Sequence, residues 1–116
     1  MNVLFILNDA PNAAGRSLNA LRLACALSIR STVYVRMFLL GAAVACARRQ
    51  PISRADPDDA AELVEAVVRR GGDVRVCSTC SEEGEARLGP FVQGCTLSPL
   101  DELSRCVCES DRVLVF

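Results

Sequence analysis

Two apolar runs constrain this chain more than any other feature: Val3 to Leu7, which is unbroken, and Thr32 to Leu40, which is rich in β-branched and aromatic residues. A strand that is apolar on both faces must be covered on both, as parallel strands are in α/β proteins. Between the two runs, Leu18, Leu21, Ala24, Cys25 and Leu27 or Ser28 recur at three- and four-residue spacing. That spacing gives a helix with one apolar face, and the three segments together form a β-α-β unit.

The same alternation continues along the chain. An Ala-rich stretch, Ala42 to Arg49, reads as a short helix, and the polar loop Gln50 to Arg54 follows it. Asp56-Pro57 then opens the best-marked helix, whose stripe is Ala61, Leu63, Val64, Ala66, Val67 and Val68 and whose stop signal is Gly71-Gly72. Asp73 to Cys77 reads as a strand, Ser81 to Arg87 as a Glu-rich segment, and Phe91 to Thr96 as a further short strand. Pro99 to Glu109 reads as the last helix and Arg112 to Phe116 as a terminal strand. The predicted fold class is therefore α/β: a three-layer α/β/α sandwich with a mostly parallel sheet of about five strands. With 116 residues, 51% of them hydrophobic, the chain fills one core, and residues 1–116 form a single domain.

Composition excludes several chemistries. The chain has no His, and all 13 of its cationic residues are Arg. Imidazole acid-base catalysis, lysine Schiff bases and a phosphate-loop lysine are thereby ruled out. A net charge of -1 without a basic block offers nothing with which to neutralise nucleic-acid phosphates or an anionic membrane surface. The longest uncharged apolar stretch, Met37 to Ala47, is well short of the ~20 residues that a membrane helix needs. The opening MNVLFILND reads as a first strand without the basic region of a secretory signal, which points to the cytoplasm.

Cysteine is what remains for covalent chemistry. The seven cysteines mix apolar and turn contexts, as expected of mostly free thiols in a reducing compartment. Cys77 ends a strand, where α/β proteins collect ligands and reactive groups. Cys80 follows at Cys-x-x-Cys spacing, and Thr79-x-x-Glu82 reads as a capping box that sets Cys80 near the first turn of a helix. Helix N-H groups there, and Arg75 on the same strand face, favour a thiolate, whereas Glu82, Glu83 and Glu85 oppose it. Burial as a small apolar residue is the competing role for Cys77.

Cys46 lies close to the carboxyl end of the second strand, with core filling as its alternative, and Cys25 faces the core from the first helix. Cys106 and Cys108, two apart on a helix, cannot both reach one site. A zinc site would need Cys77 and Cys80 plus Cys95 and one of Cys106 or Cys108. Structural zinc uses two close-spaced pairs and only one is present, so neither a metal nor a cofactor is indicated. Asn8 and Asp9, at the end of the first strand with Arg16 behind them, are ligand-binding candidates whose alternative role is turn and cap chemistry.

The segments Asn2-Val-Leu-Phe-Ile-Leu-Asn-Asp9, Asn19-Ala-Leu-Arg-Leu-Ala24, Gly41-Ala-Ala-Val-Ala-Cys-Ala47, Cys77-Ser-Thr-Cys80 and Gly94 to Phe116 resemble, in order, the DsrE/DsrF/YchN-like family. The resemblance implies a parallel α/β/α fold and cytoplasmic homo- or hetero-oligomers built as trimers or hexamers, with a homotrimer or homohexamer expected for this chain. In sulfur-relay members it implies a strand-end cysteine that carries sulfane sulfur as a persulfide. Cys77 matches the carrier position and Cys80 the second cysteine of the Cys-x-x-Cys subset, while Cys46, Asn8 and Asp9 match residues found with it. The expected function is a sulfur-relay or sulfurtransferase-like protein exchanging sulfur with donor and acceptor proteins. The alternatives are a non-catalytic oligomeric module that binds a small ligand or senses redox state through Cys77 and Cys80, and an interaction subunit whose cysteines only pack.

Overall fold

A computed structural model describes residues 1–13, 15–48, 59–79 and 91–116. The elements are β1 (Asn2–Leu7), α1 (Arg16–Ser28), β2 (Tyr34–Leu39), a 3-10 helix (Gly41–Ala47), α2 (Ala60–Arg69), β3 (Asp73–Cys77), β4 (Thr96–Ser98), α3 (Asp101–Glu109) and β5 (Arg112–Val115). The five strands form one all-parallel sheet in the order β4-β3-β2-β1-β5. This is the expected α/β sandwich.

Strand alternation gives the sheet two unlike faces. Val3, Phe5 and Leu7 of β1, Val35, Met37 and Leu39 of β2, and Val74 and Val76 of β3 point to one side. There they meet Ala20, Leu21 and Ala24 of α1, Ala60, Ala61, Val64 and Val67 of α2, and Ala43, Val44, Cys46 and Ala47 of the 3-10 helix. Full burial of side chains this size contributes roughly 1.5–3 kcal/mol each, so this face carries most of the fold's stability. The opposite face has a smaller buried cluster, Leu4, Phe38, Cys77 and Cys106, with Ile6, Leu40 and Leu103 packed against it. Among the described residues, α3 packs on it, and Cys106 is the one fully buried residue of that helix.

Two expectations are corrected. The Ala-rich stretch is a 3-10 helix that stops at Ala47, because Arg48 leaves in an extended conformation and bridges Phe91 in antiparallel fashion. The Arg48 guanidinium stacks 4.1 Å above the Phe91 ring. Phe91 is thus held outside the sheet. The left-handed turn at Gly94 (φ 96°) then separates it from β4, which begins at Thr96 instead of Phe91. The N-cap of α2 is Asp59, whose carboxylate accepts the Ala61 N-H at 3.1 Å. Asp56 and Pro57 lie outside the described residues.

The Gly71-Gly72 stop works as its sequence suggests. The Gly71 N-H donates to Val68 O (3.0 Å) and the Gly72 N-H to Val67 O (2.9 Å), the paired bonds of a Schellman motif, with Gly71 at φ 89°. A Cβ on Gly72 would stand 2.5 Å from Val67 Cγ1 and 2.9 Å from Val67 O. Gly71→Ala is expected to cost about 1 kcal/mol through its backbone conformation, and Gly72→Ala about 1–3 kcal/mol through overpacking. Urea denaturation measures both, and a Gly72→Ala protein as stable as the wild type would contradict the packing described.

Candidate functional site

Parallel strands deliver their ends to a common edge, and the carboxyl edge of this sheet gathers Asn8, Asp9, Cys77 and Ser98. Strand parity then divides them. Cys77 closes β3 in register with Ser98 and shares the α3-side face with Arg75 and Asp73. Its side chain is 2% exposed. The backbone is already helical at Ser78 and Thr79, so the strand passes directly into a helical turn after the thiol; Thr79 lies inside that turn and is not the N-cap that the capping-box pattern called for. Cys80, Glu82, Glu83 and Glu85 lie outside the described residues.

Arg75, the expected source of positive charge beside Cys77, is committed elsewhere. Its Nε lies 3.0 Å from Asp73 Oδ2, and its Nη1 lies 3.4 Å from both Ser98 Oγ and Glu102 Oε2. Its charge is compensated within the face.

Cys46 lies on the other side of the sheet, fully buried in the larger core. Its Sγ is 4.0 Å from the Asp9 carbonyl oxygen, which also accepts the Ser17 hydroxyl at 2.6 Å. Burial pushes the Cys46 thiol up to about 11, against a partial lowering by its hydrogen bond with Ser17. Asp9 pairs through its carboxylate with Arg16 Nε at 2.7 Å. Asn8 donates through both its backbone N-H (3.0 Å) and its side-chain amide (3.1 Å) to Phe116 O, while the Phe116 ring stacks on Phe5. Asn8 and Asp9 therefore act here as turn and anchoring residues. An open cavity of about 600 Å³ lies beside them, bordered by Ala10, Pro11, Leu18, Ala45, Arg48 and Asp59.

The structure thus brings Asp9 and Cys46 together, with Ser17, and sets Cys77 apart on the opposite face. Ser17 escapes the hydrophobic pattern of α1 because it is polar; its place on the helix's inner face, four residues before Leu21, is the signal that would have found it. Cys106 is buried and Cys108 exposed, as their spacing requires. The Cys25 thiol donates to Leu63 O at 3.3 Å, and its pKa is raised by burial. Cys95 is pushed up to about 11 by burial alone. Among the described residues no three potential metal ligands cluster, Cys25, Cys46, Cys95, Cys106 and Cys108 form no disulfide, and no helix is long and apolar enough to cross a membrane.

These features define a small all-parallel α/β protein with a cysteine at the end of a central strand. The sequence profile of the DsrE/DsrF-like family matches residues 1–116, and the chain belongs to that family. It is 27% identical over 115 residues to the YchN protein of Escherichia coli, covering 98% of this chain and 97% of that one. An uncharacterized protein of Methanopyrus kandleri is 26% identical over 117 residues, covering 98% and 93%. The crystal structure of the Escherichia coli YchN protein superposes with a TM-score of 0.87 at 26% identity, over 100% of this chain and 99% of that one. A conserved protein of unknown function from Bacteroides thetaiotaomicron shares the fold, with a TM-score of 0.67 at 17% identity over 98% and 94%.

The raised thiol of Cys46 has a consequence for stability. Above its ordinary pKa of 9.0 the unfolded chain releases a proton that the folded protein keeps until about 11. The stabilisation is complete below pH 9 and is lost as the pH rises toward 11, by about 2 kcal/mol for this one group. Urea midpoints between pH 8 and 11 should fall less steeply in Cys46→Ala than in the wild type; equal slopes would contradict the burial of a neutral thiol.

Proposed function

We propose that this protein is a sulfur carrier of a sulfur-relay system, with Cys77 as the carrier thiol. The observation that supports this most is the placement of Cys77 at the carboxyl end of β3, followed directly by a helical turn, in a chain that belongs to the DsrE/DsrF-like family. The Cys77 thiolate attacks the outer sulfur of a donor persulfide. A Cys77 persulfide forms and the donor leaves as its thiolate. An acceptor thiolate then attacks the outer sulfur of Cys77, restoring the Cys77 thiolate and creating the acceptor persulfide. No net oxidation occurs, and no histidine is required once the thiolate is available.

Cys80 serves as a resolving thiol. If it attacks the inner sulfur of the Cys77 persulfide, a Cys77–Cys80 disulfide forms and hydrosulfide departs, which discharges a carrier that has met no acceptor. The protein works in the cytoplasm as a homotrimer or homohexamer, a state supported by exposed Val113 and Val115 on the edge strand β5 and exposed Val107 on α3.

A second reading, a non-catalytic small-ligand module, draws on the cavity beside Ala10, Ala45 and Arg48, near Asp9 and Cys46. Incubation with a sulfane-sulfur donor followed by peptide mass spectrometry separates the two. One added sulfur atom is expected on the Cys77 peptide, absent in Cys77→Ser and retained longer in Cys80→Ser. No adduct on Cys77, or a Cys77→Ser protein that takes up as much sulfur as the wild type, would favour the ligand module.

A further inference from the structure

Six charged side chains form a closed ring over the α3-side face. Arg36 Nε lies 3.2 Å from Asp73 Oδ2, and Asp73 Oδ2 lies 3.0 Å from Arg75 Nε. Arg75 Nη1 reaches Glu102 Oε2 at 3.4 Å, and Glu102 Oε2 takes Arg105 Nη2 at 2.6 Å. Arg105 Nη1 reaches Glu109 Oε1 at 3.2 Å, and Glu109 Oε2 returns to Arg36 Nη1 at 3.0 Å. Signs alternate all the way round. Three members stand on β2 and β3 and three on α3, so the ring joins helix to sheet. Hydrogen bonds to Arg105 hold the Glu102 carboxyl below its ordinary range, and those to Arg36 do the same for Glu109.

Among the described residues, apolar contact on this face is thin by comparison. Cys106 is the only fully buried residue of α3, with Leu103 packed beside it against Leu4, Phe38 and Cys77. The carboxyl end of α3 has separate anchors: Asn2 Nδ2 donates to Glu109 O at 3.2 Å, and Asp111 exchanges hydrogen bonds with the Asn2 backbone. The amino end, which follows β4 and the strand ends, is tied to the sheet through Glu102 and Arg75. A helix anchored at one end and held at the other mainly by a part-buried ion pair with a half-exposed carboxylate, with little apolar contact, has a weak point for local opening at that end.

We propose that α3 is a strap over Cys77, hinged at the Asn2–Glu109 end and latched by the charge ring, and that opening the latch is what exposes the Cys77 sulfur to a reagent or partner. As a gate for sulfur transfer the strap rests on the reading of Cys77 as the carrier. As a cover it does not, and alkylation in the absence of any sulfur donor reads the cover alone.

The test is the iodoacetamide labelling rate of Cys77, Cys106 and Cys46, followed peptide by peptide in the full chain. Glu102→Gln removes the carboxylate that ties the amino end of α3 to Arg75 and is expected to raise labelling of Cys77 and Cys106 together by roughly 2- to 5-fold, the scale of an ion-pair loss. Raising salt from about 0.05 to about 1 M, which shortens the screening length to about 3 Å, should do the same in the wild type and much less in Glu102→Gln. Cys46, beneath α1 and α2, should not respond, and neither should any of the three in Arg69→Gln, which breaks an ion pair within α2. The strap is overturned if Cys77 does not respond to the variant or to salt, if Cys106 responds without Cys77, or if Cys46 rises in step with both. Gated alkylation with no sulfur adduct on Cys77 would leave the strap standing and remove the carrier role.

Discussion

The parity of β3 decides the character of this molecule. Val74 and Val76 face the large core built by α1, α2 and the 3-10 helix, so Asp73, Arg75 and Cys77 must face the other way. A slip of one residue would bury two charges in the main core and turn the thiol toward the sealed side. The observed register instead sets the strand-end thiol on the face that holds few apolar contacts and many ion pairs. The two faces thereby differ in kind: one supplies most of the apolar packing among the described residues, and the other carries the strand-end thiol.

The electrostatics follow the same division. Cys46 and Cys95 are pushed up to about 11 by burial, which makes them poor nucleophiles near neutral pH. Cys77 is equally enclosed, at the point where β3 passes into a helical turn.

Much of the fold was legible in the sequence, because buried parallel strands and a helix with a Gly-Gly stop write strong local signals. Val3 to Leu7, the α2 stripe and Gly71-Gly72 all lie where periodicity set them. The misplaced elements have a common cause. Phe91 has the residue type of a strand but is captured by the guanidinium of Arg48, a partner far away in sequence that local pattern does not reveal. The candidate site was legible as a set of residues but not as an arrangement: nothing local shows that Cys46 and Cys77 occupy opposite faces, that Asn8 holds Phe116, or that six charges on three elements close into a ring.

Membership of the DsrE/DsrF-like family underlies the proposed sulfur-relay role, and the chemical claim made for it is transfer through one thiol. Isotopically labelled sulfane sulfur, loaded in a short pulse and chased with an excess of a small thiol, tests that claim most directly. Label found on Cys77 after the pulse and moved quantitatively to the thiol as its persulfide during the chase is the outcome expected. Label that never resides on Cys77, or that stays there through the chase, would contradict it.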